Sequence, residues 1–265
     1  PSWRRSDEGI SSELMEFRIA DTFTESLARL TGEEQKAVKT AAFDLQLNPS
    51  HPSLQFHKLA KAKDPNFWSI RVSRDVRLIL HKTGTSLLLC YVNHHDEAYQ
   101  WAERRKVETH PKTGAAQLVE VRERVQEIAI PKYVEVESKP KAKPPLFSAL
   151  SDDQLLAFGV PREWLGDARN ANENSVLDLA EHLPAEAAEA LLNLATGGAQ
   201  RTTAQVSSSV PAYTSSARLD AAARVSEPTQ DAFNHPDAQR RFRTISSQEE
   251  LERAFEYPWE KWTIF

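Results

Sequence analysis

The sequence is poor in residues that staple or punctuate a small fold. One cysteine (Cys90), one methionine (Met15) and eight glycines serve 265 residues. A single cysteine cannot close an internal disulfide, and it excludes a cysteine-built zinc site. No apolar run nears the roughly 18 residues of a membrane span. The first residues, PSWRRSDEG, lack the apolar centre of a secretory signal. An excess of positive charge is also missing. Lys+Arg number 33 against 38 Asp+Glu, a formal net charge of -5, so no global basic charge announces nucleic acid. No G-x-x-x-x-G-K-[ST] phosphate loop occurs, and the Lys-Thr-Gly triplets at 82–84 and 112–114 have the wrong order for one. HExxH and GxSxG are absent as well. The expectation is a cytoplasmic chain with no membrane partner, no metal site and no cofactor of its own.

What is present is uneven. Apolar residues make up 40% and charged residues 27%, enough for one or two small cores with poorly packed tails. Residues 17–106 carry fourteen Lys/Arg against ten acids, a net +4, whereas residues 146–198 carry two Arg against nine acids, a net -7. Such asymmetry indicates separate modules with different partners.

The first module has an α+β pattern. Residues 15–20 alternate as a half-buried strand does, and Thr22 opens a helix with Phe23, Leu27 and Leu30 on one face. After Thr31-Gly32 a second helix carries Ala37, Ala41 and Leu45, and Asn48-Pro49 ends it. Alternating runs at 67–73, 76–82 and 86–93 are separated by short turns, which predicts antiparallel hairpins. A helix over 95–106 closes the unit. Residues 114–129 show a helical stripe of Leu118, Val121, Val125 and Ile128, predicting a trailing helix. The boundaries that follow are 15–130 for this domain and 131–145 for a Pro/Lys linker. Residues 146–198 form an acidic all-helical module, 199–240 a disordered Ser/Thr/Ala-rich linker, and 241–265 a further, truncated unit. In the helical module, Ser151–Gln154 reads as a capping box and Pro161 and Pro184 mark helix starts. Helices are expected near 152–158, 161–169, 173–181 and 185–196, with Leu177, Leu191, Leu192 and Leu194 as the core. Ser247–Glu250 is a second capping box. The chain stops in an apolar run, Thr263-Ile264-Phe265, and begins without Met, so a fragment of a longer protein is expected.

Chemistry concentrates between residues 57 and 101. Seven cations lie between 57 and 82 against Asp64 and Asp75. Lys58, Lys61 and Lys63 precede the hairpin, Arg74 sits in its turn, and Arg71 and Arg77 lie on its strands. His94, His95 and Tyr99 stand where the last strand meets the closing helix. A sheet lined by Arg and Lys attracts a phosphate backbone. RNA cleavage needs a base, an acid and cations that stabilise charge gathering on phosphorus. Histidine suits the first two roles and arginine the third.

The segments FWSIRVSRDVRLILHK (67–82) and LLLCYVNHHDEAYQWAERRK (87–106) resemble the RelE/ParE toxin superfamily over residues 17–106. The resemblance implies two helices on a small antiparallel sheet with a closing helix. It also implies metal-independent cleavage of messenger RNA at the ribosome. Arg71 and Arg77 would then face the phosphate, His94 or His95 would act as acid or base, and Tyr99 would stack on a base. Lys58, Lys61, Lys63 and Arg74 would contact nucleic acid. Ser69 and Asn93 depart from RelE members at a strand lysine and a late arginine. ParE-like members share the fold without a ribonuclease site and act on gyrase. RRFRTISSQEELERAFEYPWEKWTIF (240–265), with FGVPREWL and EHLPAEAAEALL before it, is similar to the stretch preceding the motor of UvrD/Rep-like superfamily I DNA helicases. That similarity implies an accessory region of a DNA helicase whose absent motor would use ATP and magnesium. The opposite charges of the two modules also suggest an intramolecular contact that silences the basic domain.

Overall fold

The computed structural model describes residues 15–49, 51, 54–121, 144–197 and 228–256. The chain divides into two compact units. One runs through Glu103 and resumes at Arg240; the other is Arg104–Gln239.

The first unit is α+β. Its elements are β1 (Glu16–Ala20), α1 (Asp21–Ala28), α2 (Gly32–Leu47), β2 (His57–Lys58), β3 (Phe67–Arg71), β4 (Val76–Lys82), β5 (Ser86–His94) and α3 (His95–Glu103). The returning chain adds two elements, labelled here in chain order as β8 (Phe242–Thr244) and α10 (Gln248–Glu256). The sheet order is β2-β3-β4-β5-β1-β8. β3, β4 and β5 pair antiparallel, as their short turns require. β1 pairs parallel with β5, so the sheet is mixed rather than wholly antiparallel as expected. Strand alternation shows which face a residue takes, but carries no information on which strand becomes its neighbour.

One sheet face holds the main core. Ile19, Ile70, Leu78, Leu80, Leu87, Leu89 and Val92 pack with Phe23 and Leu27 of α1 and Val38, Ala42 and Leu45 of α2. The buried stripe of α2 is turned one residue from the expected Ala37–Ala41 line, which is half-buried. Thr31 caps α2 with Glu34 in a reciprocal capping box. Ile245, Leu251 and Ala254 complete this core. Arg241 pairs with Asp21 (3.4 Å), and Gln46 donates to the Ser247 carbonyl (2.9 Å). Residues 240–256 therefore finish the first unit instead of opening a separate one. The last residues, 257–265, lie outside the described part.

The second unit begins with a hairpin, β6 (Arg105–Thr109) and β7 (Ala116–Glu120). This overturns the trailing helix expected over 114–129. Gly114, at φ +77, and its N–H bond to the His110 carbonyl (2.9 Å) reverse the chain, and Leu118 pairs with Val107. Residues 122–129 of that helix, and the 131–143 part of the linker, lie outside the described residues. α4 (Asp152–Ala157), a 3-10 turn (Arg162–Trp164), α5 (Leu165–Asn170), α6 (Val176–His182) and α7 (Ala185–Ala195) follow near their expected places. The Ser151–Gln154 capping box is present. The core differs from the leucine stripe. Leu191 is buried, but Leu177 is 64% exposed, and Phe147, Leu155, Val160, Trp164, Leu179 and Leu183 fill the centre. Residues 228–239, expected in a disordered linker, instead form α8 (Gln230–Phe233) and α9 (Pro236–Gln239), with Ala232, Phe233 and Ala238 buried. Residues 198–227 lie outside the description.

Polar groups tie the hairpin to the helices. Buried Gln117 donates from Nε2 to the Gly159 carbonyl (3.1 Å) and to Glu186 (2.8 Å). Gly159 ends α4 at φ +82, and a Cβ there would meet Glu186 Cγ at 3.3 Å; glycine removes both penalties. Lys106 lies between Glu108 (2.8 Å) and Glu163 (2.6 Å). Burial alone would lower its pKa, yet the hydrogen bonds and charges of the two carboxylates outweigh it and raise the pKa above the ordinary lysine range.

Candidate nucleic-acid interface

Strand register places the hairpin cations. Arg71 of β3 stands opposite Arg77 of β4, Ser69 opposite Ile79, and Asn93 of β5 opposite Arg77. Alternation sends these side chains to the sheet face away from the Ile70–Leu78 core. Helix α3 packs on that same face. The Tyr99 hydroxyl lies 3.3 Å from the Ser69 hydroxyl. Trp101 stacks flat on Tyr91 with ring centres 4.6 Å apart and leans on Phe67 at 6.0 Å. One helical turn before Tyr99, the His95 imidazole lies 4.4 Å from the tyrosine ring, and its Nδ1 meets Asp96 at 2.8 Å.

The two guanidiniums share an anchor. Arg71 Nε donates to the Ser73 carbonyl (3.0 Å), and Arg77 Nη1 donates to the same oxygen (3.2 Å) and to the Val76 carbonyl (3.1 Å). Both charges are held by neutral acceptors. Among the described residues no carboxylate pairs with Arg71, Arg74 or Arg77. The turn's one acid, Asp75, is taken by His94 Nδ1 at 2.7 Å.

That bond separates His94 from the other candidates. His94 is opposite Val76, a core residue, so it emerges on the side of the sheet covered by α1 and α2, where its Nε2 lies 3.8 Å from Glu34 of α2. Lys58 is likewise on the other face. It stands opposite Trp68 with Nζ 5.8 Å from the ring centre, beside Phe56 and Lys82. Lys61 and Lys63 are exposed in the loop before β3, and Arg74 is exposed in the turn. Arg71, Arg77, His95 and Tyr99 thus share one side.

The structure adds a residue that sequence reasoning missed. His57 lies opposite Ser69 in the edge strand β2 and is exposed on the Arg71 face. A two-residue strand has no period to read, so only the pairing reveals it. Further along the same face, where His81 stands opposite Phe67, His81 and Asp64 are buried 3.4 Å apart. Cys90 sits at the irregularity between β4 and β5. Burial pushes its thiol well above the ordinary range, which removes it as a nucleophile. Among the described residues no group of three or more His, Cys, Asp or Glu is placed to hold a metal ion, and no helix is long and apolar enough to cross a membrane.

No protein-family model matches the chain, and no curated protein does. Among solved structures it is similar to the RelB–RelE antitoxin–toxin complex from Methanococcus jannaschii. The match has 21% identity, covers 31% of this chain and 95% of that one, and has a TM-score of 0.28. At that score the likeness carries no argument about function. The comparisons lend no support to a helicase parent.

Proposed function

We propose that the sheet face carrying Arg71, Arg77, Tyr99 and His95 binds the phosphate backbone of a single-stranded nucleic acid, with RNA as the ligand the toxin resemblance implies. The observation that carries this is the pair of guanidiniums on adjacent strands, which no carboxylate meets among the described residues. Planar arginine forks match phosphate oxygens and release counterions on contact. Tyr99 and His95 supply rings beside them, and stacking on an aromatic ring is tolerant of base identity. Cleavage is the enzymatic extension. It would assign acid–base work to His95 or His57 and not to His94, whose ring is committed to Asp75.

The test is fluorescence anisotropy of the full chain with a labelled oligoribonucleotide across a salt series. Arg71→Ala with Arg77→Ala should weaken binding by about tenfold or more and make the log–log salt slope shallower by about 1.4, two single-strand phosphate contacts. Tyr99→Ala should weaken binding with little change in slope. Equal affinity in wild type and the arginine double variant would sink the assignment.

A further inference from the structure

The tip of the β3–β4 hairpin reads Ser73-Arg74-Asp75-Val76-Arg77, an acid set between two arginines. Its backbone is fixed from within. Ser73 Oγ accepts from the N–H of Asp75 (3.4 Å) and of Val76 (3.1 Å). The Arg77 head group lies against this same backbone. Its Nη1 is 3.4 Å from the Arg74 carbonyl and 3.1 Å from the Val76 carbonyl, the two groups that flank Asp75. The nearby partner for the Asp75 carboxylate is therefore the Arg77 fork, which a rotation of the aspartate side chain would reach. The structure holds a different pairing. Asp75 is turned to His94 of β5, whose Nδ1 lies 2.7 Å from Oδ2. An ionised carboxylate only accepts, so Nδ1 carries the hydrogen of that bond. Beyond the ring stands Glu34, 3.8 Å from Nε2. Glu34 is bound to the Thr31 N–H (3.0 Å) and hydroxyl (2.7 Å) in the α2 cap, so it stays with its helix.

We propose that His94 is a positioning residue for the nucleic-acid face: it holds the Asp75 carboxylate on its own side of the hairpin and so leaves the Arg77 fork available to a phosphate group. The inference rests on the phosphate-binding reading of Arg71 and Arg77. Without the His94 bond, a carboxylate tethered to the same turn competes with every incoming phosphate for that fork. A tethered competitor acts at high effective concentration. Exposed ion pairs are individually weak, so the competition reduces affinity without abolishing it. The role needs only a hydrogen-bond donor at the Nδ1 position. It needs no proton exchange, and in that it differs from acid–base work.

The experiment is a double-mutant cycle on the full chain, read by anisotropy of a labelled oligoribonucleotide across a salt series. His94→Leu should weaken binding several-fold and make the log–log salt slope shallower by about 0.7, one single-strand phosphate contact. His94→Ser, which is too short to reach Asp75, should do the same and guards against a folding defect peculiar to leucine. Adding Asp75→Asn to either variant should restore both affinity and slope. Asp75→Asn alone should lose nothing. His94→Asn, whose side-chain amide offers a donor near the Nδ1 position, should bind as the wild type does. Glu34→Gln keeps the α2 cap and should leave binding unchanged. A loss that Asp75→Asn does not restore would overturn the proposal in favour of direct contact by His94. A His94→Asn variant as weak as His94→Leu would overturn it in favour of the imidazole's charge. Unchanged binding in both His94→Leu and His94→Ser would overturn it as well. These results leave the phosphate-binding reading in place as long as Arg71→Ala with Arg77→Ala weakens binding. If that arginine double variant binds like the wild type, the reading fails and this proposal falls with it.

Discussion

His110 is fully buried, and its two ring nitrogens have different duties. Nδ1 accepts from the backbone N–H groups of Lys112 (3.3 Å) and Thr113 (3.1 Å), and Nε2 donates to the Val160 carbonyl (3.2 Å). That pattern suits the neutral ring alone, and burial is the main reason its pKa is pushed below the ordinary histidine value. The unfolded chain therefore binds a proton more readily than the folded one. Its contribution to stability is present above the ordinary histidine range and is lost as pH falls below about 6.5. Urea unfolding of the second unit between pH 7.5 and 5 should show this slope, and His110→Gln should flatten it while lowering stability at neutral pH. Lys106 is a second residue whose state is set by its surroundings. Lys106→Met would leave Glu108 and Glu163 facing each other without their shared cation, an expected loss of about 1–3 kcal/mol measured by the same unfolding. None of this is legible from the two residues in sequence, where His110 and Lys106 are one imidazole and one ammonium among many.

Helices and strands were legible to the extent that their signals are local. The Ser151 cap illustrates this: the hydroxyl and the Gln154 side chain satisfy backbone donors within four residues, and four residues suffice to recognise them. Ser151→Ala should cost about 1 kcal/mol in thermal unfolding, and Ser151→Asp should recover most of it. At Ser247–Glu250 the side chains divide the work differently. Ser247 accepts from the Glu250 N–H (3.2 Å), while Glu250 reaches back to the N–H of Ser246 (2.7 Å). The failure at 114–129 has its cause outside that range. Leu118 and Val121 fit a helical stripe, but Val107, the strand partner that decides for a hairpin, lies outside the window in which that stripe is counted, and Gly114 stands at its first position. Periodicity also misjudged Leu177, whose outward position follows from the neighbours of α6 and not from its own segment.

At the scale of the whole chain, the first unit is assembled from two distant stretches. β8 adds to the edge of β1 with Thr244 opposite Arg18 and Phe242 opposite Ala20, which covers an otherwise unpaired strand edge. α10 contributes Leu251, fully buried, and Phe255 meets Phe23 and Phe43 edge-on. Burying a large apolar side chain is worth about 1.5–3 kcal/mol, so this segment supplies an amount comparable with the ~5–15 kcal/mol stability of a domain. Deleting the chain from Arg240 onward should strip hydrogen-exchange protection from β1 and unfold the first unit. Leu251→Ala should cost about 2–5 kcal/mol and leave the second unit's transition in place. An unchanged first transition in either variant would show that the tail is an ornament on this core.

The sequence by itself determined the α+β character of the first unit, the helical character of the 146–198 module, most element positions and the cationic enrichment between residues 57 and 82. Those properties are written in spacing, caps and charge within short windows. Only the tertiary structure decided which cations share a face. Arg71, Arg77 and Tyr99 share a face because register and the packing of α3 put them there, while His94 is carried to the other side and joined to Asp75. It likewise decided that residues 240–256 belong to the first core. The physical reason is that strand pairing and helix packing bring together residues far apart in the chain, and their partners are selected by the burial of the whole core.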